Sequence, residues 1–457
     1  MRPSREWALP FVAAAVVAAA FALPGQSKDN HRPRTVTVTQ SSYACPVAKG
    51  TSIATGGLAS HAGSRTTARS VLDRLPIAAL GSTTAWGEGS LDAGALLVNA
   101  VDPQGAGAVG FTAQTPSKKT GGGLAAGQCP GVVQDAWFLG AGSGAKHFTT
   151  VTLTNLSDSP AVADVMLWGQ NGRIDAIDAK GIVLTPLQTK DVRLESLAAG
   201  EPELAVQVHS RRGAMSIAAR DTSTAVFAGT EPIPTTTEPA RSQILPGIAA
   251  DTSRKQLLLL NPGDTTARVK VEALGKDGAL VPTGLDDLKV SAGKVTVLDL
   301  PKSAGNGPLA LRLTSDFPLS ATVRMAQSNK DFAYAVAGPL LDGPAIMPMS
   351  VKGLLKDARV IVTAPKAKAT VTVTAFGKDM KEQGSTTLSL KADSTGSLDL
   401  GKKKLFRIAP GKIAYFVVTS LGDVAGSAIY TNGSGLSAIP LRAVPLKTLA
   451  PYVRPGH

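Results

Sequence analysis

Two stretches of the chain alternate apolar and polar residues one for one. Val269, Val271 and Ala273 fall on one face against Arg268, Lys270 and Glu272, and Val371, Val373 and Ala375 fall against Thr370, Thr372 and Thr374. A period of two with one apolar face predicts half-buried antiparallel strands. Each stretch closes a longer unit that occurs three times: TVTLTNLSDSPAVADVMLWGQNG from Thr150, LLLLNPGDTTARVKVEALGKDG from Leu257 and VIVTAPKAKATVTVTAFGKDM from Val360. In every copy a strand meets a polar or proline-containing turn (156–160, 261–266, 364–368) and returns as a second strand, the signature of a hairpin. Gly169, Gly275 and Gly377 align at separations of 106 and 102.

A second unit occurs four times: ALLVNAVDPQGAGAVGFTAQ (95–114), ELAVQVHSRRGAMSIAARD (203–221), PLALRLTSDFPLSATVRMAQ (308–327) and IAYFVVTSLGDVAGSAIYT (413–431). Each reads as a strand, a tight turn and a second strand ending in a small residue. Ala113 and Ala219 lie 106 positions apart, and Ala219 and Ala326 lie 107 apart. With the short candidates between them (182–184, 190–194, 294–300, 385–390), each module holds about seven strands, the count of an immunoglobulin-like sandwich. A propeller blade takes only about 40 to 50 residues. The expected fold is therefore all-β: tandem immunoglobulin-like β-sandwich modules after an N-terminal hydrophobic helix.

Past that helix, only residues 66–75 (TTARSVLDRL) show helical spacing, and 47 glycines and 30 prolines agree with many short turns. Each module ends in a loop and a proline (Pro130, Pro246, Pro348, Pro440), and the Thr/Pro stretch at 231–239 reads as a loop insertion at such an end. The organisation expected is a signal peptide or anchor helix over 1–24, a polar tether over 25–40, a degenerate module over 41–130, and sandwich modules over 131–245, 246–347 and 348–457. Modules joined this closely predict a stiff rod.

Arg2 and Arg5 precede the apolar run 7–23, which has the charge and hydropathy of an export segment. It is long for the core of a cleaved signal and short for a membrane span, and Ala20 and Ala22 offer a cleavage pattern, so a retained anchor and a removed signal both stand. No second run approaches a span. Everything from about residue 35 onward is expected outside the cytoplasm. Cys45 and Cys129, an even and sparse pair in an exported chain, are expected to form a disulfide. The bridge would staple the first module.

Chemistry is harder to find. Of the five histidines, His31 and His457 sit in the tether and at the C-terminus, His61 in a small-residue loop, His147 at the start of a strand, and His209 on the polar face of another. Exposed structural places are expected for them, and Ser-His-Asp catalysis has no support. GAGSGAK at 140–146 imitates a phosphate loop, but a strand follows where a helix is needed. The 433–435 cluster lacks the glycine spacing of a nucleophile elbow. Asp164, Asp175, Asp178, Glu195, Asp286 and Asp287 are available for glycoside hydrolysis, yet no spacing singles out two of them. Two thiols without a histidine at ligand spacing make no metal site, and no cofactor is expected.

Charge adds one feature. The net charge is +13, and residues 352–412 carry thirteen Lys/Arg against five acids. Lys366, Lys368, Lys402, Lys403, Lys404 and Arg407 are the candidate contacts for an anionic polymer. Scarce aromatics and export argue against nucleic acid.

With the export segment, the cysteine pair, the LTN and LLN turns and the repeated strands, the chain resembles a family of uncharacterised, secreted or membrane-anchored actinobacterial proteins. The resemblance covers nearly everything after residue 40 and implies a cell-envelope setting. It implies no reaction. The sequence thus points to a non-enzymatic extracytoplasmic scaffold or binding protein of the bacterial cell envelope, at the cell membrane or secreted if the helix is cleaved, with a membrane protein as partner. Binding of a glycan or anionic cell-wall polymer through the basic C-terminal module is the alternative, and an unrecognised glycoside hydrolase is a third.

Overall fold

The computed structural model describes residues 34–58, 65–81, 85–101, 106–117, 122–225, 227–327, 330–355, 357–401, 405–406 and 410–450. The N-terminal apolar run lies outside them. Among the described residues no helix is long and apolar enough to cross a membrane, and helical structure is limited to single 3-10 turns such as Ile177–Ala179. The chain is all-β.

Residues 34–37, in the stretch expected as tether, form the strand Arg34–Thr37, which pairs antiparallel with Lys447–Ala450 as a two-stranded unit of its own. Residues 38–446 make the second unit. It contains four sandwiches in chain order, three built from two separate antiparallel sheets and the third from one eight-stranded sheet that folds over on itself through Leu309–Gln327. The first sandwich sets Gln40–Pro46, Ala95–Val101 and Arg65–Ser70 against Gly87–Leu91, Thr51–Gly56, Val109–Gln114 and Ala125–Gln128. The second runs from Asp135–Ala141 to Gly229–Ile233, the third from Ala240–Ile248 to Asp331–Val336, and the fourth from Ala345–Pro348 to Gly435–Pro440.

The repeated units are not hairpins. His147–Asn155 and Ala161–Gly169 belong to opposite sheets of the second sandwich, as do Leu204–Arg212 and Met215–Ser223. In the third copy a single strand, Leu309–Gln327, runs through both layers, pairing with Ala267–Gly275 by its first half and with Arg254–Asn261 by its second. Each connection therefore arches from one sheet to the other, so that its two strands face each other across the core. The turn residues explain the arch. Asn155 is fully buried, and its Nδ2 donates to Ser159 O (2.7 Å) and Thr185 O (3.0 Å) while Oδ1 accepts from Ser157 N (3.0 Å). Asn261 repeats the pattern with Thr265 O (2.8 Å), Val290 O (3.0 Å) and Gly263 N (3.1 Å). One side chain thus satisfies main-chain groups that a ladder between the two strands would otherwise have used. The real two-residue hairpins lie one strand later, at the aligned glycines, where Gly169 pairs with Gly172 and Gly275 with Gly278. At the second arch Gly213 takes φ +90°, and a Cβ there would come 2.6 Å from Ala161 Cβ.

Residues 66–75 also depart from expectation: Arg65–Ser70 is a strand, pairing Ala68 with Val98, followed by a turn. Two adjacent β-branched threonines beside an available sheet edge outweigh ten residues of helical spacing, which make a marginal helix on their own.

The four sandwiches do not form a rod, because they share their interiors. One apolar core joins Ala54, Trp86 and Phe111 of the first sandwich to Tyr415, Phe416 and Tyr430 of the fourth. A second takes Phe332, Tyr334 and Val336 of the third into the core of the second, and another takes Ile361, Ile429 and Leu436 of the fourth into the third. Polar contacts follow the same boundaries. Trp86 N donates to Lys378 O at 2.8 Å, and Arg312 Nη1 pairs with Asp393 Oδ1 at 2.6 Å. End-to-end stacking would have left these aromatic faces in water. Their mutual burial is worth roughly 1.5–3 kcal/mol for each large side chain and holds the first sandwich against the fourth.

Candidate functional site

Where the first, second and fourth sandwiches meet, a partly open cavity of about 410 Å³ is formed. Its apolar wall includes the half-buried Val47, Pro232, Pro234 and Pro440, and its polar wall includes Thr112, Gln128, Thr150, Arg220 and Arg442. Arg220 is carried by Met215–Ser223 at a position where the side chain leaves the sandwich core, and Arg442 lies two residues past the proline that ends Gly435–Pro440. Both arginines are half-buried. Arg220 Nη2 donates to Gln114 Oε1 at 2.5 Å, and the Gln114 Nε2 is spent on Lys49 O. Arg442 Nη2 donates to Thr235 O, and its Nε is buried with no acceptor among the described residues. Burial pulls both guanidinium pKa values below the ordinary one; Asp191 and Glu231 act against this at Arg220, whereas nothing offsets it at Arg442.

Beside this cavity lies a set of buried carboxyl groups. Asp331 Oδ2 accepts from Leu124 N (2.7 Å) and Leu436 N (2.6 Å), tying the third sandwich to a segment of the first and a strand of the fourth. Burial pushes its pKa up to about 7, against the pull of these hydrogen bonds. Glu231, in Gly229–Ile233, is raised well above the usual carboxyl range by burial and by Asp331. The fit around Asp331 is close: a Cβ on Gly123 would come 2.2 Å from Asp331 Oδ1.

His147 does not take the exposed place expected for it. Its Nδ1 lies 2.8 Å from Pro202 O and its Nε2 3.0 Å from Oδ2 of the fully buried Asp221, which also accepts from Tyr334 Oη at 2.9 Å. Burial opposes the imidazolium, but the charge and hydrogen bond of Asp221 outweigh it and raise the pKa. Next to it, Arg324 is 4% exposed, pairs with Glu203 and lies 4.5 Å over the Phe227 ring. Glu203 and the other nearby acids keep this guanidinium charged against the cost of its burial. His209 is half-buried and sits 3.0 Å from Asp135 Oδ1. His31, His61 and His457 lie outside the described residues.

The acids considered for hydrolysis are dispersed. Asp164 pairs with Arg211 and accepts from Gly181 N, Asp175 pairs with Lys180, Glu195 faces Arg193, and Asp287 pairs with Arg268. Asp178 and Asp286 are exposed. Residues 140–146 continue from Asp135–Ala141 through a turn into His147–Asn155, with no helix to receive a phosphate. Cys45 and Cys129 are joined by a disulfide that links the two sheets of the first sandwich.

Of the basic residues singled out, Lys366 and Lys368 are exposed in the turn between Asp357–Ala364 and Ala369–Phe376. Lys402, Lys403, Lys404 and Arg407 lie outside the described residues. The structure instead gathers Lys352, Lys378 and Lys412 around Glu88 in a cleft of about 510 Å³. There Lys378 Nζ binds Glu88 Oε2 at 2.6 Å and Lys352 Nζ binds Ser90 Oγ at 2.8 Å.

Arg220, Arg442, Glu231 and Asp331 were not singled out by sequence. Charged residues beside turns are solvated by default, and their burial is created by packing between modules. The one available signal is that Asp331 opens the uninterrupted apolar run FAYAV, whose lack of alternation marks a strand covered on both faces.

Fold and cavity together define a protein of tandem, mutually packed β-sandwiches. Residues 86–401 match the family of unknown function DUF5719, and the chain belongs to that family. No curated protein matches it. Among solved structures it is similar to an anti-sigma factor domain-containing protein at 11% identity, over 83% of this chain and 97% of that one, with a TM-score of 0.15. An anti-sigma factor domain-containing protein from Clostridium clariflavum is also 11% identical, over 84% of this chain and 100% of that one, with a TM-score of 0.13. The GH78 family rhamnosidase of Bacillus sp. GL1 is 8% identical, over 70% and 55%, again at 0.13. Scores this low carry no argument.

Proposed function

We propose that the chain is a non-enzymatic, extracytoplasmic scaffold or binding protein of the actinobacterial cell envelope that presents its β-sandwich surfaces to a membrane protein partner. The N-terminal apolar segment holds it at the membrane or is cleaved to release it. The observation that carries this reading is the sharing of cores among the sandwiches. A body whose modules interlock through buried aromatics and carboxyls displays its loops and edges at fixed separations, as a recognition surface requires. The disulfide fits an oxidising compartment. The nine-residue strand Glu382–Leu390 ends its sheet, with Ser385, Thr387 and Ser389 exposed, and suits strand addition by a partner.

The test is a photo-crosslinking amino acid at Thr387 in the full-length protein, expressed in intact cells, with mass spectrometry of what is captured. A reproducible membrane protein is the expected product. Capture of polysaccharide alone, lost on raising salt, would replace this reading with polymer binding by the basic module.

A further inference from the structure

The cavity between the first, second and fourth sandwiches holds a charge imbalance. Two guanidinium groups line it, and the one carboxylate in its wall among the described residues is Asp191. Asp191 is exposed, accepts from Thr152 Oγ1 at 2.7 Å and acts on Arg220 through its charge, but it forms no ion pair with either arginine. Arginine does not shed its proton in a protein, so the pKa depression caused by burial leaves both groups charged. A desolvated cation without a counter-ion costs several kcal/mol, and buried charges are ordinarily paired; Asp191 and Glu231 act on Arg220 from a distance, whereas no neighbouring charge offsets the burial of Arg442. Gln114 and the Thr235 carbonyl supply dipoles here but no charge. Glu231, the buried acid whose charge acts on Arg220, is itself driven toward its neutral form.

The geometry points to a binding site for a small organic anion, with one carboxylate or phosphate group between Arg220 and Arg442 and an apolar body against Val47, Pro232, Pro234 and Pro440. The planar forks of arginine suit both head groups, which accept paired hydrogen bonds. A volume of about 410 Å³ lies within the range of small-molecule sites and leaves room for several carbons beyond the head group. The proposal is independent of the protein-partner reading: a cavity that takes no anion leaves the Thr387 crosslink unaffected, and the reverse also holds.

The test is calorimetric titration of the full-length protein with octanoate, octyl phosphate and, as a neutral control, octanol. One-to-one binding of at least one anion, at least tenfold tighter than octanol, is expected. Arg442→Gln and Arg220→Gln should each weaken that anion tenfold or more while leaving octanol unchanged. Tighter octanoate assigns a carboxylate ligand, and tighter octyl phosphate a phosphate. Anions that bind no better than octanol, or that bind both variants as they bind the parent, overturn the proposal. Should Arg442→Gln fail to fold, the arginine Nε–H resonances of the parent protein decide. Saturating octanoate and octyl phosphate that leave those of Arg220 and Arg442 unmoved would equally overturn it.

Discussion

Glu231 Oε1 accepts a hydrogen bond from Ser437 Oγ at 2.6 Å, so a carboxyl group of the second sandwich fastens the strand Gly435–Pro440 of the fourth. Ala438 N donates to the same oxygen at 3.1 Å, and the other carboxyl oxygen is buried without a partner among the described residues. A carboxylate so placed would be poorly solvated, and the neutral acid suits the site better. Together with Asp331, it makes the contact between modules depend on protons.

Stability should accordingly fall as pH rises through the neutral range. Asp331, raised from the ordinary 3.8 to about 7, keeps a proton in the folded protein across a window in which the unfolded chain has released it. Its contribution is fully present below pH 4, declines to about pH 7 and is constant above, at about 1.4 kcal/mol for each unit of offset. Glu231 acts in the same direction. So does His147, whose raised pKa gives stability that is present below the ordinary 6.5 and lost as pH climbs through the folded value. Below pH 4 the trend reverses, since Glu272 and Asp299 are held low by hydrogen bonds from Arg312 and Arg254 and must be protonated on unfolding. Scanning calorimetry from pH 3 to pH 8 should show a maximal Tm near pH 4 to 5. In Asp331→Asn, whose amide oxygen can still accept from Leu124 N and Leu436 N, the decline between pH 4 and 7 should flatten. An unchanged slope would remove Asp331 as its source.

The period of the modules, their all-β character and the disulfide were legible in the sequence because each rests on local pattern or on a residue count. The strand partners were not. A strand, a short turn and a second strand read alike whether the pair closes a hairpin or arches between sheets, and the difference at residues 155–161 lies in where the Asn155 amide sends its hydrogen bonds. The candidate site was hidden for another reason. Arg220, Glu231, Asp331 and Arg442 come from three sandwiches, and only packing between modules removes them from water.

Trp86 measures that packing. Its ring stacks on Tyr415 at 4.7 Å, Tyr415 stacks on Phe376 at 5.1 Å, and Phe111 lies 6.1 Å from Trp86 on the first sandwich. Trp86→Ala should cost about 3–5 kcal/mol by opening a cavity in the shared core. In urea, a single cooperative transition should split, with the first sandwich unfolding before the fourth. One transition, shifted by less than 1 kcal/mol, would mean that this contact does not couple them.

The disulfide joins the strand Gln40–Pro46 of one sheet to Cys129, just past the strand Ala125–Gln128 of the other, across a separation of 84 residues, and Cys45 is fully buried. Reductant should therefore leave it intact until the sandwich opens. Mass analysis after alkylation in dithiothreitol should detect free thiols only above the urea concentration of the first transition. A Cys45→Ala/Cys129→Ala variant should lose about 4 kcal/mol in the chain-entropy account. Rapid reduction in native buffer would show that the bond lies within reach of solvent.

Asn155 and Asn261 occupy equivalent arches in the second and third sandwiches, and Ala364 stands at the matching place in the fourth. Removing either amide takes the partner from two main-chain carbonyls and one N–H, but Ser159, Thr185, Gly263 and Thr265 lie in exposed turns where water replaces part of the loss, so Asn155→Ala and Asn261→Ala should each cost about 1–2 kcal/mol. Asp at either position is no remedy, because the carboxylate accepts but cannot donate to Ser159 O or Thr265 O. The two sites lie in different sandwiches and share no hydrogen-bond partner, so the double variant should lose the sum of the single losses in urea unfolding. A double variant that loses much less than this would mean that the arches fold as one unit, and the second and third sandwiches would then have to be treated as a single cooperative body.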